Sequence, residues 1–375
     1  MRLRRADGRM GKLTLGNANQ LTLAAARQMA MEVQNKRAQG VDPFLESIRK
    51  ESLKKEKASN TFGSLSRQFI EQYARPKLRG WRDTAVLLGL RPFNEDSFET
   101  IPNSLADRWS NKPVADISPK DILAVMDEVR TKAVPGLMKQ RRQPHSEGQS
   151  LALFARLSKF FSWCQGRLLL DRNPCAGLTR PTKPPARTRV LNDDEIRSFW
   201  RASEQVGEPY EQALKLLLLT GQRLDEIAAM RWDELDADRL TLNLPASRTK
   251  NKRPHFVPLG PIAQNLIGSV HKIAHCDYVF TTNGHRPLVN FSHVKTRLDA
   301  WMEPKEAWRL QDLRRTVASR LPETGTQQIV IEKLLNHASG LLAGVAGVYN
   351  RFDYAQERRA ALELWEHKLN KIISS

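Results

Sequence analysis

The stretch Leu178 to Val190, LTRPTKPPARTRV, constrains the fold of this chain more than any other. It has no helical or strand periodicity. Its prolines cannot donate backbone hydrogen bonds and its arginines and lysines keep it solvated, so it reads as an extended basic linker. It divides a chain of 375 residues into two parts, each long enough to build its own core. The expected fold is mainly α with small β-sheets in a multidomain chain. A small hairpin-and-helix module covers residues 1–58, a helical domain 59–177, the linker 178–190, and a mixed α/β domain with a C-terminal helix 191–375.

Local patterns support each part. RLRRADGRMGKLTLGN alternates basic and apolar residues around Asp7-Gly8, as a β-hairpin does. A helix then starts near Thr22 and closes at Gly40, and the charged stretch RKESLKKEKASN follows as a helical or flexible connection. Phe62, Leu65, Phe69 and Tyr73 share one helical face, as do Leu153, Leu157, Phe160 and Phe161. Ser118 and Asp121 form a capping-box pair, and the whole region is expected to be all-helical, with four or five helices. Beyond the linker, ALKLLLLTG predicts a buried helix stopped by Gly221, and RLTLNLPASRTKNKRPHFVPL predicts two strands joined through Thr249 to Arg253. The last helix has an Asp353/Gln356 capping pair. Its stripe of Leu362, Trp365, Leu369 and Ile372 is expected to dock on a neighbouring protomer rather than on its own domain.

Charge narrows the partner. Sixty Lys and Arg against 41 Asp and Glu give a net charge of +19, spread along the chain. A dispersed excess of this size points to a polyanion, most commonly nucleic acid, although ribosomal and membrane-surface proteins share it. No run of about 18 apolar residues is present, and MRLRRADGRM lacks the apolar core of a signal peptide. Cys164, Cys175 and Cys276 are odd in number and lack metal-ligand spacing. A reducing cytoplasm without structural zinc is the expectation.

Several polar residues stand where a core pattern does not need them. Arg223 opens a helix just after a buried helix and a glycine turn, and Lys250 lies in a hairpin turn. Gln311 and Arg314 are three apart on one helical face, while Leu313, Val317 and Leu321 take the core face. His337 ends a helix whose apolar side is Ile331, Leu334 and Leu335. Tyr349 follows a segment weakened by Gly340, Gly344 and Gly347. By itself that tyrosine reads as an aromatic filler between helices. With two arginines, a lysine, a histidine and a glutamine it reads as a nucleophile for phosphodiester chemistry. Arginine forks match the charged non-bridging oxygens, a lysine can protonate a leaving oxygen, and a tyrosine attacks only near strong positive charge. No metal is called for, and no cofactor.

These residues, in the segments LLLLTGQRLDEIAAMRWDELD, SRTKNKRPHFVPL, QDLRRT, LLNHASG and VYNRFDY, resemble the tyrosine recombinase (phage integrase) family in that family's order. KFFSWCQGRLLLDRNPCAGL resembles the end of its core-binding domain, and KLTLGNANQLTLAAARQMA resembles the arm-binding module of satellite-phage and genomic-island integrases. The resemblance implies that Arg223 and Arg314 clamp the scissile phosphate, Lys250 is the general acid, His337 hydrogen-bonds the phosphate and Tyr349 attacks it. Glu226 supports the site. Lys159, Arg180 and Lys183 are candidate DNA contacts. The implied activity is conservative site-specific recombination through a 3′-phosphotyrosine, on double-stranded attachment sites, by a homotetramer with accessory DNA-bending or directionality proteins. A cytoplasmic, nucleoid-associated location follows.

Two departures from the family pattern matter. Gln311 stands where the family usually has histidine, and an amide can donate a hydrogen bond but cannot carry a proton. Slower turnover is expected. The module at the start lacks strand sequence that the family usually carries, so a shortened arm-binding unit is expected. Two alternatives stay open: a type IB topoisomerase-like enzyme, and a DNA-binding regulator that no longer cleaves.

Overall fold

A break in packing at Pro185–Ala186, inside the basic stretch, divides the chain into two units, Met1–Pro185 and Ala186–Ser375. The computed structural model describes residues 1–4, 8–17, 19, 21–49, 59–94, 97–137, 147–238, 240–337 and 352–375. Tyr349, Gly340, Gly344 and Gly347 lie outside the described residues, as do Asp7 and residues 50–58 of the charged stretch.

In the first unit, strands β1 (Arg2–Arg4) and β2 (Met10–Lys12) pair antiparallel, with Leu3 opposite Gly11. Thr22 caps the helix Leu23–Ala38, its hydroxyl accepting from the Ala25 amide, and Gly40 follows with φ +81°. The helical part is built on the two aromatic stripes. Phe62 and Phe69 of the Phe62–Phe69 helix meet Phe160 of the Glu147–Gln165 helix edge-on, with centroids 5.0 and 5.6 Å apart. The first of these helices continues through a π-turn, Ile70–Ala74, to Lys77. Pro76 explains the widened turn, because its ring opposes the carbonyl four residues back and it has no N–H to offer. The Ser118–Asp121 capping box forms as expected at the Pro119–Thr131 helix.

The region is not all-helical. Strands β3 (Leu90–Pro92) and β4 (Phe98–Thr100) form a second small antiparallel sheet. Arg67, on the first helix, holds it by donating to the Phe98 carbonyl and to the Thr100 hydroxyl. Three-residue strands are too short to show a period of two, which is why the sequence pattern misses them.

The second unit is organised around the buried helix Tyr210–Thr220, in which every residue from Gln212 to Thr220 is buried. It packs against the helices Asp193–Val206, Pro261–Gly268, Leu310–Arg320 and Ala355–Ser374. A three-stranded antiparallel sheet covers one side, in the order β5 (Leu235–Asp236), β6 (Thr241–Leu244), β7 (His255–Pro258). Strands β6 and β7 are the predicted pair, with Leu244 opposite His255 at the turn end of the hairpin.

The terminal helix corrects an expectation. Leu362, Trp365, Leu369 and Ile372 are buried in their own unit rather than held out for a neighbour. The Trp365 indole donates to the Leu218 carbonyl at 2.9 Å, and Arg197 donates to the carbonyl of Ile372. Glu366 caps a different helix, accepting from the amides of Ile262 and Ala263. Gly260 makes room for it, since a Cβ there would sit 2.3 Å from the Glu366 carboxyl carbon. An apolar stripe shows that a helix needs a partner surface without saying whose. The expected Asp353/Gln356 cap is also revised: Asp353 accepts from the Ala355 amide, and the residue preceding the helix is Tyr354 at φ +55°. No helix among the described residues is long and apolar enough to cross a membrane.

Candidate active site

The site grows from the end of the buried helix. Gly221 terminates that helix at φ +64°, and a Cβ at this position would lie 2.9 Å from Leu335 and 3.0 Å from Val317. Glycine therefore lets three segments meet: the end of the buried helix, the Leu310–Arg320 helix and the loop after the Gln328–Leu334 helix. Arg314 uses the junction. Only 8% exposed, it donates Nη1 to the Gly221 carbonyl at 2.8 Å and Nη2 to the Leu335 carbonyl. Burial and the nearby charge of Arg223 pull its pKa down to about 10, which still leaves it cationic at neutral pH.

Arg223 caps the helix Leu224–Ala228. Buried Glu226 fixes it at both ends: one carboxylate oxygen accepts from the Arg223 amide at 3.0 Å, the other from its guanidinium at 2.9 Å. The remaining Nη2 donates to the Asn336 carbonyl at 3.3 Å. Two guanidinium groups are thus anchored to neighbouring carbonyls of one loop, 335–336, immediately before His337. Charges gathered this closely favour a bound anion with more than one oxygen.

His337 is half-buried, with Nδ1 3.0 Å from a Glu332 carboxylate oxygen. Burial and Arg314 hold its pKa below the usual histidine value, against the opposing pull of Glu332. Asn336, before it, stands at φ +49°, a conformation asparagine tolerates better than most residues.

The hairpin carrying Lys250 is docked beside this loop. Asn251 donates its amide to the Asn336 side-chain oxygen at 2.6 Å and to the Asn336 carbonyl at 3.3 Å. On the other side of Lys250, Arg248 donates to the carbonyls of Asp225 and Glu226 and pairs with buried Glu234. The Thr249 hydroxyl closes the turn onto the Arg253 carbonyl. Lys250 itself is exposed between these anchors.

Gln311 is exposed one turn before Arg314. Its neighbour Asp312 is fully buried and was missed by sequence reasoning. The Asp312 carboxylate accepts from the Arg309 amide, from Arg315, and from Arg187 at 3.2 Å in the incoming linker. Arg248, Asn251 and Asn336 were missed too, because their partners are far away in sequence. Tyr349 lies outside the described residues, so the structure brings together Arg223, Glu226, Arg314, His337 and the Lys250 hairpin without it.

In the first unit, exposed Lys159 sits with its Nζ 5.2 Å from the Tyr73 ring centroid, and Lys77 lies 5.0 Å from the same ring. Arg82 and Arg75 lie 4.6 and 5.7 Å from the Trp81 ring. These groups make a basic and aromatic face within that unit. Arg180 and Lys183 are exposed in backbone without regular structure. No group of three metal-ligating side chains occurs among the described residues.

Residues 189–354 form a domain that matches the phage integrase family. Among its relatives, prophage integrase IntZ of Escherichia coli K12 is 25% identical over 369 residues, covering 94% of this chain and 82% of that protein. Tyrosine recombinase XerC of Xylella fastidiosa strain M23 is 34% identical over 129 residues, 33% of this chain and 43% of XerC. A lambda integrase structure, solved as a tetramer bound to a Holliday junction, superposes with a TM-score of 0.54 at 17% identity. It covers 90% of this chain and 93% of that one, and at this identity the likeness is one of fold.

Proposed function

We propose that this chain is a site-specific DNA recombinase that integrates and excises a mobile element through a 3′-phosphotyrosine intermediate. One observation carries the reading: Arg223 and Arg314 converge on the 335–337 loop, against which the hairpin bearing Lys250 is docked. The two guanidinium groups take the non-bridging oxygens of the scissile phosphate. Because they are held by backbone carbonyls before DNA arrives, little reorganisation remains as charge builds up. Tyr349 attacks phosphorus, the bond to the 5′-oxygen breaks, and Lys250 donates a proton to that oxygen. The phosphotyrosine conserves the bond energy, so the 5′-hydroxyl of a second duplex reverses the step on the new partner without a nucleotide cofactor.

His337 has a conditional part. With Nδ1–H donated to Glu332, the neutral ring offers only a lone pair at Nε2. A phosphate's negative charge favours the imidazolium, which donates from both nitrogens. Gln311 holds the DNA by hydrogen bonding and contributes no proton, which sets a slower turnover.

The other parts follow by role. The module at 1–58 binds arm-type sites, the domain at 59–177 binds the core site through the face around Tyr73, Trp81 and Lys159, and the basic linker 178–190, with Arg180 and Lys183, tracks the backbone. Double-stranded attachment sites assemble four copies, as in the lambda integrase tetramer on its junction. Accessory DNA-bending or directionality proteins complete the assembly. The protein works in the cytoplasm, on the nucleoid. The test is a denaturing-gel assay for covalent adducts on nicked duplexes from the ends of the encoding element. Wild type and Gln311→His are expected to form adduct and Tyr349→Phe none. Adduct from Gln311→His alone would make the natural protein a non-cleaving DNA binder.

A further inference from the structure

A buried chain of hydrogen bonds lies behind the proposed site and includes none of the residues assigned to it. Its centre is His255, the first residue of β7, five positions beyond Lys250 and only 6% exposed. On one side His255 Nε2 is 3.2 Å from the Gln222 amide oxygen, and on the other Nδ1 is 3.4 Å from Arg358 Nη2. Gln222 has one orientation available. Its amide nitrogen donates to the Thr220 carbonyl at 2.9 Å and to the Leu334 carbonyl at 3.1 Å, both acceptors only, so its oxygen must face the imidazole. His255 therefore carries its proton on Nε2 and presents a lone pair at Nδ1 to the Arg358 cation.

Each end of this chain reaches a segment of the site. Gln222 directly precedes Arg223, and Leu334 ends the helix from which the loop to His337 departs. Arg358, 3% exposed, lies on the terminal helix. Its guanidinium lies 3.7 Å from the Phe256 ring centroid and donates to the Phe256 carbonyl. Its Nη1 reaches the Asp353 carbonyl at 3.4 Å, four residues past Tyr349. Four segments that come together only in the folded chain thus share one buried centre.

We propose that His255 is a positioning residue for strand cleavage, one that registers the segment after Tyr349 against the loop and helix holding Arg223 and His337; this role rests on the recombinase reading. A neutral imidazole with its proton on Nε2 joins an acceptor on one side to a donor on the other. An imidazolium would point a second N–H at Arg358 and break the chain. Burial first, then the charges of Arg358, Arg314 and Arg223, keep the ring neutral by holding its pKa well below the usual histidine value. No contact of His255 with DNA is needed. Its effect falls on the rate of the bound complex and leaves affinity alone.

The test is single-turnover cleavage of a nicked suicide duplex by the full chain, with rate measured against DNA concentration. His255→Phe keeps an aromatic ring and loses both nitrogens. It is expected to lower the saturating rate about ten- to a hundredfold, the scale of a small misplacement of reacting groups. The half-saturating DNA concentration should move by less than about twofold. His255→Gln, which can donate to Gln222 and accept from Arg358, is expected to recover most of the rate. Should His255→Phe fail to fold, His255→Gln and Gln222→Met, which cuts the chain at its other end, decide the matter by the same rate-against-affinity split. A wild-type saturating rate in His255→Phe, or in Gln222→Met, overturns the proposal while the recombinase reading stands. So does a loss that appears only as weaker DNA binding. An absence of adduct from wild type overturns the recombinase reading itself.

Discussion

Arg314 and Lys250 are the two cations on which the proposed chemistry most depends, and the fold treats them in opposite ways. Arg314 is buried, with both ends of its guanidinium bound to backbone carbonyls of different segments. Lys250 is exposed on a turn whose neighbours, Thr249 and Asn251, are tied down. The difference separates two tasks. A group that neutralises developing charge works best fixed in advance, in surroundings that solvent does not screen. A group that delivers a proton needs a labile proton and access to the leaving oxygen. Structure and catalysis are therefore coupled at Arg314 and separable at Lys250.

The largest effect should follow from breaking that coupling. Arg314→Ala is expected to slow cleavage about 100- to 1000-fold. It also leaves two buried carbonyls unpaired, at about 1–3 kcal/mol each, so the thermal midpoint should fall with activity. Lys250→Ala should slow adduct formation about 100-fold while stability stays within about 0.5 kcal/mol of wild type. Equal loss of stability in the two variants would erase the distinction. Asn251→Ala releases the turn from Asn336 without touching the lysine, and about a tenfold loss at the saturating rate is expected, with DNA affinity unchanged.

A pH titration of stability sharpens the buried side of the comparison. His255 and His337 both have folded-state pKa values below the ordinary histidine value of 6.5. Below that pH the unfolded chain takes up protons that the folded chain refuses. Stability contributed by the neutral rings is therefore complete above about 6.5 and is lost as pH falls, by at most about 1.4 kcal/mol per pH unit for each proton. Denaturant unfolding of the full chain between about pH 6.5 and 5, above the ordinary carboxylate range, should show this slope, reduced in His255→Gln. A flat profile in wild type contradicts it. The smallest effect is expected at exposed Gln311: Gln311→His should speed cleavage a few-fold and leave the melting temperature unchanged.

What the sequence made legible was local. The Gly221 stop, the β6–β7 hairpin, the Ser118 cap and the core faces of the Arg314 helix and of the helix preceding His337 all follow from spacing within a few residues. All appear in the structure, although that last helix stops at Leu334 and His337 lies in the loop after it. The groups that aim the site were not legible. Arg358 meets His255 across 103 positions, Asn251 meets Asn336 across 85, and Arg187 meets Asp312 across 125. No period or cap signals such pairs, and each residue alone looks like an ordinary polar side chain. The terminal helix failed differently. Its stripe was read correctly as a docking face, but the Tyr210–Thr220 and Asp193–Val206 helices of the same unit receive it.

The central claim is that Tyr349 is the nucleophile brought to this cluster. Mass spectrometry of a trapped adduct tests it most directly, because trypsin cuts after Arg351 and separates Tyr349 from Tyr354. Tyr354 is half-buried beside Phe352, with ring centroids 4.9 Å apart. The nucleotide should be found on the peptide Leu334 to Arg351, at Tyr349. A nucleotide on Phe352 to Arg358, at Tyr354, would contradict the account.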